Sequence, residues 1–199
     1  MIRIGILGTG NIGTDLLLKV LRTDFLTPVI FSGRRMDSHG ITIAQQHNVP
    51  VTDAGINYFI DNPNCCDVVF DCTNALDATE HAKVFEQQGI KVIDLTPAKV
   101  GELCVPSINP EVINTRGNVN MITCGGQASL PLLHLISNNC ELLEYVEVVS
   151  QIASKSAGMA TRINVDNYIQ TTETAIKQFT SAKQCKVILN LNPAEPCVD

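Results

Sequence analysis

No Cys-x-x-Cys pair, no run of like charges and no low-complexity tract occurs in this 199-residue sequence. With no histidine at a zinc-site spacing from any of its eight cysteines, a metal centre is not expected. No apolar stretch is long enough to cross a bilayer. Residues 1–8 run into an apolar segment with neither a basic region nor a cleavage site, which argues against a secretory leader. A soluble cytoplasmic protein, with no membrane partner, is the expectation. A net charge of −6 provides no basic face, so nucleic acid is not expected as a partner either. There is no internal repeat and no Gly/Ser-rich linker. What the chain does have is 45% hydrophobic residues, enough for a sizeable core.

Periodicity divides the chain at about residue 123. Before it, short apolar runs at 2–7, 28–31, 68–70, 91–95 and 119–122 alternate with helical spacing at 11–21, 41–46 and 75–88. In the first helix, Ile12, Leu16, Leu17 and Val20 form the apolar face, and the third stops at Gly89. Strands alternating with helices predict a doubly wound parallel sheet covered on both faces. Beyond it, the pattern predicts a helix over 128–136, with Pro131 in its first turn, a strand over 145–152, a helix over 165–179 and a strand over 186–191. The reading is a Rossmann-type α/β domain, 1–123, followed by an incomplete α+β catalytic and dimerisation domain, 124–199.

The first turn carries the clearest signal. Gly8-Thr9-Gly10-Asn11-Ile12-Gly13 follows a predicted strand and opens a predicted helix. The first glycine permits the tight turn, the second lets backbone approach a pyrophosphate, and the third allows close helix–strand packing. The helix N-terminus supplies free N–H groups and a positive dipole end. A nicotinamide dinucleotide fits these requirements. After the second strand, Ser32-Gly33-Arg34-Arg35-Met36-Asp37 places two arginines where NAD-binding chains carry a carboxylate. Guanidinium groups suit the 2′-phosphate of NADP, so NAD, NADP or dual use stay open.

Seven of the eight cysteines read as small core residues. Cys124 differs, because it stands between a predicted strand and a helix, before Gly125, Gly126 and Gln127. The helix N-terminus favours its thiolate, and the two glycines leave room for a carbonyl and expose backbone N–H groups to an oxyanion. A thiolate adds to an aldehyde, and the adduct can give up hydride to a nicotinamide.

The stretches GTGNIGTDLLLKVLR, VIDLTPAKVG, NVNMITCGGQA, SKSAGMATR and NLNPAEP together resemble the acylating acetaldehyde dehydrogenases, over residues 2–196. That resemblance implies conversion of acetaldehyde or a short aldehyde, coenzyme A and NAD(P) into acyl-CoA and NAD(P)H. It implies an acyl-thioester on Cys124 and cofactor contacts from Thr9, Gly10, Asn11 and Ile12. It adds a second cofactor segment of Ser156, Ala157, Gly158, Met159, Ala160, Thr161, Arg162, Ile163 and Asn164. By itself that Ser/Gly-rich loop, flanked by Lys155 and Arg162, reads as an anion cradle or an ordinary turn. The implied partners are a homo-oligomer and a 4-hydroxy-2-oxovalerate aldolase subunit.

Two departures from the resemblance stand out. Arg35 falls where the family carries an acidic residue. The sequence also ends near Asp199, before the family's catalytic aspartate, and Asp199 does not occupy that position. Two other classes therefore stay in view. One is a non-catalytic dinucleotide-binding or subunit-interaction protein. The other is an acyl-phosphate reductase of the semialdehyde dehydrogenase type, which needs a histidine base. His134 lies on an apolar helix and reads as a packed side chain, while His39, His47 and His81 read as surface residues.

Overall fold

The computed structural model describes residues 1–114 and 117–194, so Cys197, Asp199 and the end of the NLNPAEP stretch lie outside it. Seven parallel strands form the main sheet, in the order β3-β2-β1-β4-β5-β7-β6. They are β1 (Ile2–Leu7), β2 (Leu26–Ser32), β3 (Val51–Thr52), β4 (Val68–Asp71), β5 (Lys91–Asp94), β6 (Glu102–Leu103) and β7 (Asn118–Asn120). The β2/β3 and β4/β5 halves wind away from β1 in opposite directions. A crevice therefore opens at the carboxyl end of β1, where open α/β sheets bind ligands.

Helices α1 (Asn11–Leu21), α2 (His39–Gln46), α3 (Ile56–Asp61) and α4 (Ala75–Gln88) connect these strands. Ile4, Ile6, Leu17, Val20, Phe31, Ile41 and Ala44 fill the core between the sheet, α1 and α2. Ile12 does not belong to it: it is exposed beside the turn, and Gly13, Leu17 and Val20 are the buried residues of α1. At the start of α4 the Asn74 side chain accepts from the N–H groups of Leu76 and Asp77. Its end is a left-handed Gly89, φ 67°, after which Ile90 N–H returns to Phe85 O, as helix-ending glycines do.

A second sheet follows, made of two parallel strands, β8 (Leu143–Ala153) and β9 (Ala182–Asn192). Parallel neighbours need a crossover, and α6 (Met159–Ile163) and α7 (Val165–Phe179) supply it. Preceding the pair is α5 (Cys124–Asn138), which packs with α7 against one face of the sheet. The helix begins four residues earlier than its pattern predicts, so Pro131 lies in its interior, not its first turn. Proline has no N–H, so the Gln127 carbonyl receives no ladder bond from it. The core here combines Val146, Val148, Tyr168, Ile176 and Val187 with Leu103, Val105 and Ile122 from the preceding chain.

Candidate active site

The Gly8–Gly13 turn has the geometry its residues require. Gly8 takes φ 109°, and a Cβ there would meet the Cys72 carbonyl oxygen at 2.6 Å. A Cβ on Gly13 would strike the Gly8 carbonyl, so this glycine sets how closely α1 meets the turn. At Gly10, by contrast, a Cβ would meet nothing within 4 Å. The backbone there faces open space, and no side chain caps α1. Exposed first-turn N–H groups with no capping oxygen form a cradle for an anion, and the residues present fit a dinucleotide pyrophosphate. Thr9 is a clamp: its side chain packs against Gly33, and its hydroxyl accepts from Ser38 at 3.0 Å. Beside it, Thr9, Gly10, Asn11, Thr14, His39 and Gly40 line a cleft of about 250 Å³ between α1 and α2.

Arg34 and Arg35 are exposed at the end of β2. Both already carry partners. Arg35 donates twice to Asp37, at 2.9 and 2.7 Å, and Arg34 lies 3.5 Å from Asp77 in the first turn of α4. The Asp37 hydrogen bond holds the Arg35 guanidinium protonated and pulls the Asp37 carboxyl below the usual carboxylate range. A 2′-phosphate would have to compete with these carboxylates.

Cys124 is exposed at the first position of α5. The chain reaches it through a forced turn: Ile122, fully buried and β-branched, takes φ 65°. That conformation is costly for such a residue and persists only where the surroundings impose it. Here Asn120 imposes it. Its buried amide donates to Asp94 Oδ2 and Thr96 O, each at 2.8 Å, while its oxygen accepts from Ile122 N–H at 2.9 Å. Thr123 then caps the helix, accepting from Gly126 N–H at 2.9 Å and bonding Thr172 on α7 at 2.7 Å. Gln127 fastens the far side, donating to Cys104 O and Met121 O.

The turn after β1 and the cysteine after β7 thus lie along the same carboxyl edge of one sheet. Three strand spacings, about 14 Å, separate their strands. The loop from Ser156 to Asn164 leads into α7, whose Tyr168 and Thr172 meet Gly125 and Thr123 at the start of α5. Arg162 closes the loop on itself, donating to Ser154 O, Ser154 Oγ and Ala157 O, so its guanidinium is occupied by loop oxygens. Ala157 and Asn164 are buried, Thr161 is half-buried, and Ser156 and Ile163 are exposed. The backbone of Met159 and Ala160 opens α6.

Four features escape sequence reasoning. His81 is not a surface residue: it is largely buried and its Nδ1 lies 2.8 Å from the buried Asp71. Neighbouring Asp94 is fully buried, and burial pushes its carboxyl up to about 6, against the pull of Thr96 and Asn120 donors. Cys140 is exposed, not part of a core. The fourth feature is Tyr168, buried against Gly125, the neighbour of Cys124. The reading of His134 holds: Nδ1 donates to Phe179 O at 2.7 Å and Nε2 accepts from Asn138. Among the described residues no His/Cys/Asp/Glu group could hold a metal, and no helix is long and apolar enough to cross a membrane.

A glycine cradle, an α/β parallel sheet and an attached two-stranded unit define an NAD(P)-binding Rossmann-like domain followed by a dimerisation-domain fragment. Known families agree. Residues 3–116 match "Semialdehyde dehydrogenase, NAD binding domain", and residues 124–199 match "Prokaryotic acetaldehyde dehydrogenase, dimerisation". The acetaldehyde dehydrogenase of Pectobacterium atrosepticum is 52% identical over 200 residues, covering 100% of this chain and 68% of the relative. That of Spirochaeta aurantia is also 52% identical, covering 100% of this chain and 67% of the relative. The chain belongs to the acetylating acetaldehyde dehydrogenase family and spans about two-thirds of these relatives' length. Aspartate semialdehyde dehydrogenase from Candida albicans, solved with NADP, shares the fold at TM-score 0.64 and 14% identity, over 100% of this chain and 74% of that one. The Vibrio cholerae aspartate semialdehyde dehydrogenase II superposes at TM-score 0.63 and 16% identity, over 96% and 67%.

Proposed function

We propose that this chain carries the cofactor cradle and the nucleophile of an acylating aldehyde dehydrogenase, taking acetaldehyde or a short aldehyde to acyl-CoA. The observation that carries the reading is the exposed Cys124 at the N-terminus of α5, on the same sheet edge as the uncapped Gly8–Gly13 turn. The turn residues Gly8, Thr9, Gly10, Asn11, Ile12 and Gly13 hold the dinucleotide, with Ser156–Asn164 contributing from the other side. When bound, the nicotinamide supplies the hydride acceptor.

The chain's own residues do the rest. The Cys124 thiolate adds to the aldehyde carbon at the positive end of α5, where Thr123 already holds the Gly126 N–H. Oxidation of that adduct leaves an acyl thioester on Cys124. The coenzyme A thiolate then attacks the thioester carbonyl, the C–S bond to Cys124 breaks, and the enzyme thiolate leaves. Gly125 and Gly126 serve close packing rather than room for a carbonyl: a Cβ would meet Tyr168 Oη and Ser150 Oγ at Gly125, and Ile122 Cγ2 and Thr123 Oγ1 at Gly126.

Arg34 and Arg35 permit NADP beside NAD, although their present carboxylate partners temper that preference. The functional boundary falls at Cys124, with the cradle in 1–123 and the dimerisation part in 124–199. A homo-oligomer, a 4-hydroxy-2-oxovalerate aldolase partner and a cytoplasmic setting follow from the same family reading. A reducing compartment suits the seven described thiols, all free. The test is reduced-nucleotide formation from acetaldehyde and coenzyme A, with NAD and NADP tried separately. Turnover that needs coenzyme A and disappears in Cys124→Ala is expected. Folded chain that binds dinucleotide without turnover supports the second reading, a dinucleotide-binding or subunit-interaction protein.

A further inference from the structure

Tyr168 lies in the first turns of α7, only 5% exposed, and its hydroxyl is fully buried with no hydrogen-bond partner of acceptable geometry. Buried polar groups are nearly always paired, and an unpaired one costs on the order of 1–3 kcal/mol. The place where it is left unpaired is informative. A Cβ on Gly125 would collide with both Tyr168 Oη and Ser150 Oγ, so the phenol oxygen lies directly behind the start of α5. The Cys124 thiol, the Ser150 hydroxyl and the Gly125 N–H all stand close enough to influence it. From the elements packed around the ring, α5 presents Cys124 and β8 presents Ser150, and of these Cys124 alone titrates.

We propose that Tyr168 is a catalytic hydrogen-bond donor to Cys124, its O–H turning onto the sulfur when the thiol loses its proton. The inference rests on Cys124 being the nucleophile. A neutral thiol is a weak acceptor and leaves the hydroxyl idle; a thiolate is a strong one. The bond therefore forms in the reactive state and favours it. Burial, with the neighbouring Cys124, raises the phenol's pKa despite the opposing pull of Ser150, so Tyr168 keeps its proton at neutral pH.

The experiment is site-resolved alkylation by iodoacetamide across pH, read by peptide mass spectrometry, on the full chain and on Tyr168→Phe. The wild-type alkylation profile of Cys124 against pH is the reference, with the exposed Cys140 as an internal control. In Tyr168→Phe the Cys124 midpoint should move up, slowing its alkylation about tenfold at pH 7 and restoring the rate at high pH. A merely structural role would change the rate at every pH and leave the midpoint in place, and that result overturns the proposal. Buried Cys104 reports folding in the same sample. Should the variant open, the wild type answers instead: alkylating Cys124 should lower the ionisation midpoint of one tyrosine in an ultraviolet titration. No change in any tyrosine overturns the proposal. Failure of the underlying assignment looks different: Cys124→Ala would retain turnover.

Discussion

At the scale of single residues, the site depends on a few buried polar groups. Asn120 makes three hydrogen bonds at the turn before Cys124, fixing Asp94, Thr96 and the strained Ile122 at once. Asn120→Ala should cost about 3 kcal/mol in urea unfolding, since each abandoned partner is buried, and should lower Cys124 reactivity in the protein that remains folded. An unchanged midpoint and unchanged reactivity would mean the turn holds itself. Arg34 and Arg35 pose a competition between their carboxylates and an incoming phosphate. The double change to Ala should weaken NADP binding about tenfold by calorimetry, while NAD changes little. An equal loss for both cofactors would remove the 2′-phosphate argument.

At the scale of elements, Thr123 shows what local chemistry fixes. It caps α5 and also meets Thr172 across the helix pair. Thr123→Ala should destabilise the chain by about 1–2 kcal/mol, seen as a lower thermal midpoint. Much of this level is legible in the sequence. The periods of α1, α4 and α7 give their observed limits, because each has a strong apolar face or a stop such as Gly89. Two-residue strands β3 and β6 and the short α3 leave no period to detect. The true start of α5 was signalled by Thr123 as a capping residue, but Gly125, Gly126 and the interior Pro131 weaken the helical pattern. Cys124 is legible from its place between strand and glycines. Tyr168 and the His81–Asp71 pair are not, since their partners lie 44 and 10 residues away and only folding brings them together.

At the scale of the whole molecule, two properties follow from burial. Asp94 binds its proton more tightly when folded than when unfolded, so it favours the folded state fully at low pH. That contribution is lost as pH rises from the ordinary aspartate value through about 6. The stability difference between wild type and Asp94→Asn should therefore shift against the wild type across this window; a flat difference would show that Asp94 titrates normally. The outer face of the β8–β9 sheet carries exposed Tyr145 and Val149, with Val149 beside Ile188 on the neighbouring strand. Glu147, Gln151, Gln184 and Lys186 share that face, and an uncovered strand face mixing apolar and charged groups suits a second copy. Val149→Asp should reduce the sedimenting mass to that of a single chain, and an unchanged mass would move the interface elsewhere.

The most direct test of the account is to expose the chain to acetaldehyde and dinucleotide without coenzyme A and weigh its peptides. The account predicts one acetyl group on the peptide containing Cys124, with reduced nucleotide formed in matching amount, and its release when coenzyme A is added. Reduced nucleotide with no acetyl on Cys124, or acetyl on another cysteine, would contradict it.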